Sequence, residues 1–145
     1  MIRGYFEQAP GQPRPFVSGL LNVPAAGRQP VQIDFLVDTG ADRTALAPFD
    51  IARLHLDWSR VEPGTTGIGI GGVAETQTTR ATLTLDDLAI DLQLTILSTP
   101  PGTRPLPLPS LLGRDVLHRF CLIIDAATER VLLLTPEERD QLTLP

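Results

Sequence analysis

Val31-Gln32-Ile33-Asp34-Phe35-Leu36-Val37-Asp38-Thr39-Gly40-Ala41-Asp42 is the stretch that decides how this chain folds. Its first half alternates apolar and polar residues, the pattern of a strand with one buried face. Phe35-Leu36-Val37 then continues as a short apolar run and ends abruptly at Asp-Thr-Gly. An aspartate at the end of a buried strand is costly unless it is paired, hydrogen-bonded or shares a proton. Thr39 supplies a hydroxyl that can orient neighbouring groups, and Gly40 permits a tight path and close approach by a ligand. Taken alone, the tripeptide also fits an Asx-type turn with no chemistry.

Downstream, Thr65-Thr66-Gly67-Ile68-Gly69-Ile70-Gly71-Gly72-Val73 formally matches the G-x-G-x-x-G dinucleotide fingerprint from Gly67 to Gly72. That fingerprint must open a helix. Here it is followed by Val73-Ala74-Glu75-Thr76-Gln77-Thr78-Thr79, a stretch rich in strand formers. A β-hairpin with a glycine tip fits better, either as a plain surface hairpin or as a lid over a substrate. Further on, Ser110-Leu111-Leu112-Gly113-Arg114-Asp115-Val116-Leu117 reads as a buried strand that breaks at Gly113 and enters a short helix carrying Arg114.

The remaining sequence is β-rich. Ile90, Leu92, Leu94 and Ile96 alternate with Asp91, Gln93 and Thr95, and Thr82-Leu83-Thr84-Leu85 alternates likewise. Asp86-Asp87 between them is a hairpin turn. Residues 4–8 and 16–23 are expected as two strands joined by a turn-rich segment, and 130–134 as another. Pro48 suits the first position of a short helix through Leu54, and a second short helix is expected from Asp115 to Phe120. Thr135-Pro136-Glu137-Glu138 is a capping box that opens a helix to about Leu142. Thr99 to Pro109 holds five prolines and therefore reads as a stiff connecting loop. Cys121 is expected as a small buried residue of a strand.

With 145 residues, 42% hydrophobic and 20% charged, the chain has the size and balance of one soluble globular domain, residues 1–145. No apolar run is long enough to cross a bilayer, and Met1 to Glu7 contains no signal-type apolar region, so a cytoplasmic location is the expectation. The net charge of −5 and the scattered basic residues argue against a nucleic-acid partner. One cysteine and two distant histidines give no metal-ligand spacing, so neither a metal nor another cofactor is expected.

Asp-Thr-Gly-Ala-Asp, a glycine-rich hairpin, Leu-Leu-Gly-Arg-Asp and then Cys121-Leu122-Ile123-Ile124, in that order, resemble the retropepsins, the single-domain aspartic proteases of retroviruses with cellular and bacterial relatives. The resemblance runs from about Val31 to Asp125. It implies an all-β, retropepsin-like acid-protease barrel with a flap hairpin and one or two short helices. It also implies an aspartic endopeptidase acting on a peptide or protein substrate. Asp38 matches the catalytic aspartate. Thr39 matches the residue that links the two catalytic loops across a dimer axis, and Gly40 the residue whose carbonyl meets substrate backbone. Ala41 completes that loop, and Asp42 with Arg114 matches a supporting ion pair. Gly67, Ile68, Gly69, Ile70, Gly71 and Gly72 match the flap, and Leu106 and Leu108 a wall of the side-chain subsites. Only one Asp-Thr-Gly occurs, so the family logic requires a homodimer to complete the pair.

The chain departs from the viral pattern at both ends. The arm before Asp38 is long, and the chain continues past the cysteine-containing strand. The subunit contact is therefore open from sequence: Val131 with Leu133, or Leu132 with Leu134, would face a partner or fill the core, the core being favoured. The alternative to an enzyme is a catalytically inactive dimerisation or peptide-binding module of the same fold.

Overall fold

The computed structural model describes residues 1–8, 10–69, 72–99, 102, 104 and 107–143. Its strands are β1 (Ile2–Glu7), β2 (Arg14–Asn22), β3 (Val31–Val37), β4 (Ala45–Leu46), β5 (Glu62–Pro63), β6 (Gly67–Gly69), β7 (Gly72–Ala74), β8 (Gln77–Leu85), β9 (Leu88–Ile96), β10 (Ser110–Leu112), β11 (Cys121–Asp125) and β12 (Arg130–Leu134). Three short helices accompany them: α1 (Pro48–Leu54), α2 (Arg114–Leu117) and α3 (Pro136–Arg139). All three fall where the sequence marks a short helix.

The main sheet runs β11-β12-β1-β2-β3-β10-β4-β9-β8-β5, and β2 also pairs with β8. This second pairing closes β2, β3, β10, β4, β9 and β8 into a ring, a six-stranded barrel that removes the edges of those strands. The alternation in the sequence fills it. Ile33 and Phe35 of β3, Leu83 and Leu85 of β8, and Leu94 and Ile96 of β9 are fully buried. Leu92, expected on the same face as its neighbours, is half-buried and packs against the same core. Asp86 turns β8 into β9 with φ at +53°, a left-handed conformation that aspartate tolerates better than most residues.

The barrel's flank is built by the chain ends. β12 lies between β1 and β11, pairing antiparallel with both. β1 changes partner along its length: Ile2, Arg3 and Gly4 pair with β12, whereas Tyr5, Phe6 and Glu7 pair with β2. Gly4 makes the crossing possible. A Cβ there would lie 2.2 Å from the Phe16 carbonyl oxygen and 2.9 Å from the Val131 side chain. Val131 and Leu133 are buried and fill the core, as favoured from sequence.

Two expectations are corrected here. Cys121 is half-buried rather than buried, because β11 ends the sheet and nothing flanks it on its far side among the described residues. α3 stops at Arg139 instead of reaching Leu142, and residues 140–141 form a turn. The capping box itself forms: the Thr135 hydroxyl accepts from the Glu138 N–H, and the Glu138 carboxylate accepts from the Thr135 N–H at 2.9 Å.

The β11–β12 turn is held by Asp125. Its carboxylate accepts from the Thr128 hydroxyl at 2.6 Å and from the Ala127 and Thr128 N–H groups. Those bonds, the Thr128 hydroxyl foremost, hold its pKa below the usual carboxylate range. A lowered folded pKa gives stability that is present above the unfolded value and disappears as pH falls through the folded one. Asp125→Ala is therefore expected to lower the unfolding temperature at neutral pH, with the gap from the unaltered protein closing in acid. Thermal unfolding across pH reads both.

Candidate active site

The Asp38 turn is fixed by how three short segments cross. β10 lies parallel to β3, with Leu112 opposite Val37, and antiparallel to β4, with Leu111 opposite Ala45. The chain therefore leaves β3 at Asp38, arches over the end of β10, and returns as β4 on its other side. Asp38 N–H donates to the Leu112 carbonyl at 3.1 Å, which extends the β3–β10 ladder by one rung into the turn.

Beneath the arch, β10 breaks at Gly113 and becomes α2. The two layers are stitched together: Arg114 N–H donates to the Ala41 carbonyl at 2.9 Å and Asp115 N–H to the Asp42 carbonyl at 3.3 Å. A Cβ on Gly113 would sit 2.4 Å from the Arg43 carbonyl carbon and 2.8 Å from the Thr44 nitrogen. Gly113 is ordinary in its own torsions, with φ at −90°. Glycine is needed there for close approach of backbone to backbone.

Asp38 itself is half-buried, while Thr39, Gly40 and Asp42 are exposed. Gly40 N–H donates to Asp38 Oδ1 at 2.9 Å, so the local arrangement is an Asx turn. Among the described residues this is the only donor to the Asp38 carboxylate.

Arg114 braces the turn from below. Its Nη1 donates to the Thr39 carbonyl at 2.9 Å, and its Nη2 is ion-paired with Asp42. Neither Arg43 nor Arg119 is ion-paired with Asp42, and Arg53 pairs instead with Asp50 of α1. Because Asp42 is about four-fifths exposed, the ion pair itself contributes under ~1 kcal/mol. The bond to Thr39 positions the turn. Arg114→Ala is expected to move stability by less than ~1 kcal/mol and to lower turnover by about tenfold or more. Chemical denaturation and peptidase assays on one preparation separate the two effects.

A second brace was not assigned from sequence. Asp115 Oδ1 accepts from Thr44 N–H at 2.9 Å, Thr44 hydroxyl at 2.8 Å and Val116 N–H at 3.0 Å. The fully buried Thr44 hydroxyl in turn accepts from Gly113 N–H at 3.1 Å. Thr44 therefore satisfies β4, α2 and the β10 break at once. The signal lay in the aspartate after Gly-Arg and the threonine two residues past Asp42.

The structure thus brings Asp38, Thr39, Gly40, Ala41, Asp42 and Arg114 into one hydrogen-bonded unit. Gly67, Ile68, Gly69 and Gly72 lie on a separate two-stranded hairpin, with Ile68 opposite Val73 and Gly69 opposite Gly72. Gly64 N–H donates to the Thr76 carbonyl at 2.8 Å, tying the hairpin's base to β5 and β8. Ile70 and Gly71, between the two strands, and Leu106 fall outside the described residues. Leu108 is exposed and lines a cavity with Phe49, Asp50 and Arg53, none of which belongs to the Asp38 turn. Among the described residues no group of three or more His, Cys, Asp or Glu side chains is placed to hold a metal. No helix there is long and apolar enough to cross a membrane.

Against known proteins, residues 26–119 match the family model described as gag-polyprotein putative aspartyl protease. The EIAV protease, solved in complex with the inhibitor HBY-793, is 28% identical over 77% of this chain and 92% of its own, with a TM-score of 0.55. A retropepsin-like aspartic protease from Rickettsia conorii shares the fold at 20% identity, covering 90% of this chain and 87% of its own, with a TM-score of 0.61. No curated protein matches significantly.

Proposed function

The chain belongs to the gag-polyprotein aspartyl protease family, and on that premise we propose that it is an aspartic endopeptidase whose active form is a homodimer, each copy giving its Asp38 to a single catalytic pair. The observation that carries this reading is the Asp38 turn. A half-buried carboxylate is held by Gly40 and braced by Arg114, and Asp-Thr-Gly occurs once in the sequence.

Two carboxylates a few ångströms apart share one proton, because the second negative charge is opposed by the first. The ionised member takes a proton from a water held between them, and the water oxygen attacks the peptide carbonyl carbon. The protonated member donates to the carbonyl oxygen as it becomes a hydroxyl. The tetrahedral diol then collapses, the C–N bond breaks, and the departing nitrogen takes up a proton from the pair. The reaction requires neither a metal nor a covalent intermediate. In this scheme Thr39 faces its counterpart across the axis, the Gly40 carbonyl receives substrate backbone, and the hairpin of β6 and β7 closes over the peptide.

Both ionisation states of the pair are needed, so the rate is bell-shaped in pH with an acidic to near-neutral optimum. Incubating the protein with a proteome-derived peptide mixture across pH, with products read by mass spectrometry, tests this. A cleavage rate that is flat from acid to alkali speaks against the pair.

A further inference from the structure

Ala47-Pro48-Phe49-Asp50 opens α1 without a cap of its own. Ala47 stands at the N-cap position and makes no side-chain cap bond, and Asp50 is the third helical residue. A glutamate at that third position reaches back to the N-cap N–H, as Glu138 does in α3. An aspartate is one methylene shorter. The gap is filled by Ser110, the first residue of β10. Its hydroxyl accepts from the Ala47 N–H at 2.9 Å and donates to Asp50 Oδ2 at 2.7 Å. The capping box of α1 is thus relayed through a strand. Ser110 and Ala47 are fully buried, so neither polar group can turn to water instead. The other Asp50 oxygen accepts from Arg53 Nη1 at 2.9 Å, and Arg53 Nη2 donates to the carbonyl of Gln32, near the start of β3, at 3.2 Å.

We propose that Ser110 and Asp50 are positioning residues for Asp38: the relayed cap fixes the outer end of β10, and β10 in turn fixes the catalytic turn. The inference rests on the peptidase reading and adds two residues that serve it. β10 is only three residues long, so its two ends move together. At the inner end the Leu112 carbonyl accepts the Asp38 N–H. At the outer end Ser110 lies opposite Phe35 of β3 and follows Pro109, which has no N–H with which to carry the ladder further back. The hydroxyl relay does the work of that missing rung. It holds β10 against α1, and the Arg53 bond to Gln32 holds α1 against β3, the strand that ends beside Asp38. Without the Ser110 hydroxyl, the buried Ala47 N–H and one Asp50 oxygen lose their partner. An unsatisfied buried donor is costly, and the relief open to it is separation of α1 from β10. The displacement then reaches Asp38 through Leu112.

Two variants separate positioning from simple capping. Ser110→Ala is expected to lower kcat by about tenfold or more with KM changed by less than about twofold, since no contact to substrate is altered. Its Asp38 amide, followed by NMR, is expected to exchange with solvent at least about tenfold faster than in the unaltered protein. Adding Asp50→Glu to Ser110→Ala gives the carboxylate the reach of an ordinary capping box, which holds the Ala47 N–H without β10. The double variant is expected to regain thermal stability while kcat and the Asp38 exchange rate stay impaired. Recovery of kcat along with stability would mean that Ser110 serves only the cap, and it overturns the proposal, as does a Ser110→Ala protein with unchanged kcat. Should Ser110→Ala fail to fold, Asp50→Ala takes its place. That variant keeps the bond from Ala47 to the hydroxyl but frees β10 from the carboxylate, and the same loss of kcat supports the brace while its absence overturns it. If the unaltered protein cleaves no peptide at any pH, the peptidase reading falls separately. The Asp38 exchange rate then decides the brace alone: faster exchange in the variant supports it, and an unchanged rate overturns it.

Discussion

Asp38→Asn is expected to remove peptidase activity by ~10⁴-fold, the upper range for loss of a positioned acid–base group, while leaving the fold unchanged. The amide is nearly isosteric with the carboxylate, and its oxygen can still accept the Gly40 N–H bond that shapes the turn. What it cannot do is take a proton from water or share one with a partner. The unfolding temperature and the oligomeric state are therefore expected to match the unaltered protein, and only turnover collapses. Cleavage of a peptide mixture by both proteins, matched by sedimentation and thermal unfolding, measures this. Activity that survives in the asparagine variant would remove Asp38 from the chemistry and favour a binding module of the same fold.

Gly113→Ala is expected to damage stability and activity together. Its Cβ would fall within 2.8 Å of three backbone atoms of Arg43 and Thr44, which are not the ends of flexible side chains and cannot rotate away. Relief requires the arch and α2 to separate. That strains the bonds from Arg114 and Asp115 to Ala41 and Asp42, and the Thr44–Gly113 contact. Overpacking of this kind costs about 1–3 kcal/mol. Displacing a catalytic group by about an ångström lowers turnover by about a hundredfold. Urea unfolding and single-substrate kinetics on the variant read the two losses. A variant that lost stability but kept full turnover would mean that the arch moves without carrying Asp38 with it.

Much of the barrel was legible because its strands follow local pattern. β3 and β12 fall on the residues whose alternation and apolar runs marked them, and α1 begins at Pro48, whose ring suits the first helical turn. Thr135 and Glu138 form the reciprocal cap that their spacing announces. What escaped was set by partners distant in sequence. β1 starts at Ile2 instead of Gly4 because Ile2 and Arg3 pair with Leu133 and Leu132, a register no local window contains. The short 3-10 turns at Pro24–Ala26 and Trp58–Arg60 lack an apolar period to mark them. At the site, Asp38, Asp42 and Arg114 could be named from motif order. Thr44 and Asp115 could not be paired, because their contact exists only once β10 is inserted between β3 and β4.

The arrangement at issue is a pair of Asp38 carboxylates drawn from two chains. Mixing the unaltered protein with Asp38→Asn under conditions of free subunit exchange measures it most directly. With equal amounts of the two, random pairing puts about half of the unaltered chains into mixed dimers that hold a single carboxylate. Activity per unaltered chain is then expected to fall to about half and to decline further as the asparagine variant is added in excess. Activity per unaltered chain that holds constant at every mixing ratio, with exchange verified, would mean that one chain carries the whole reaction.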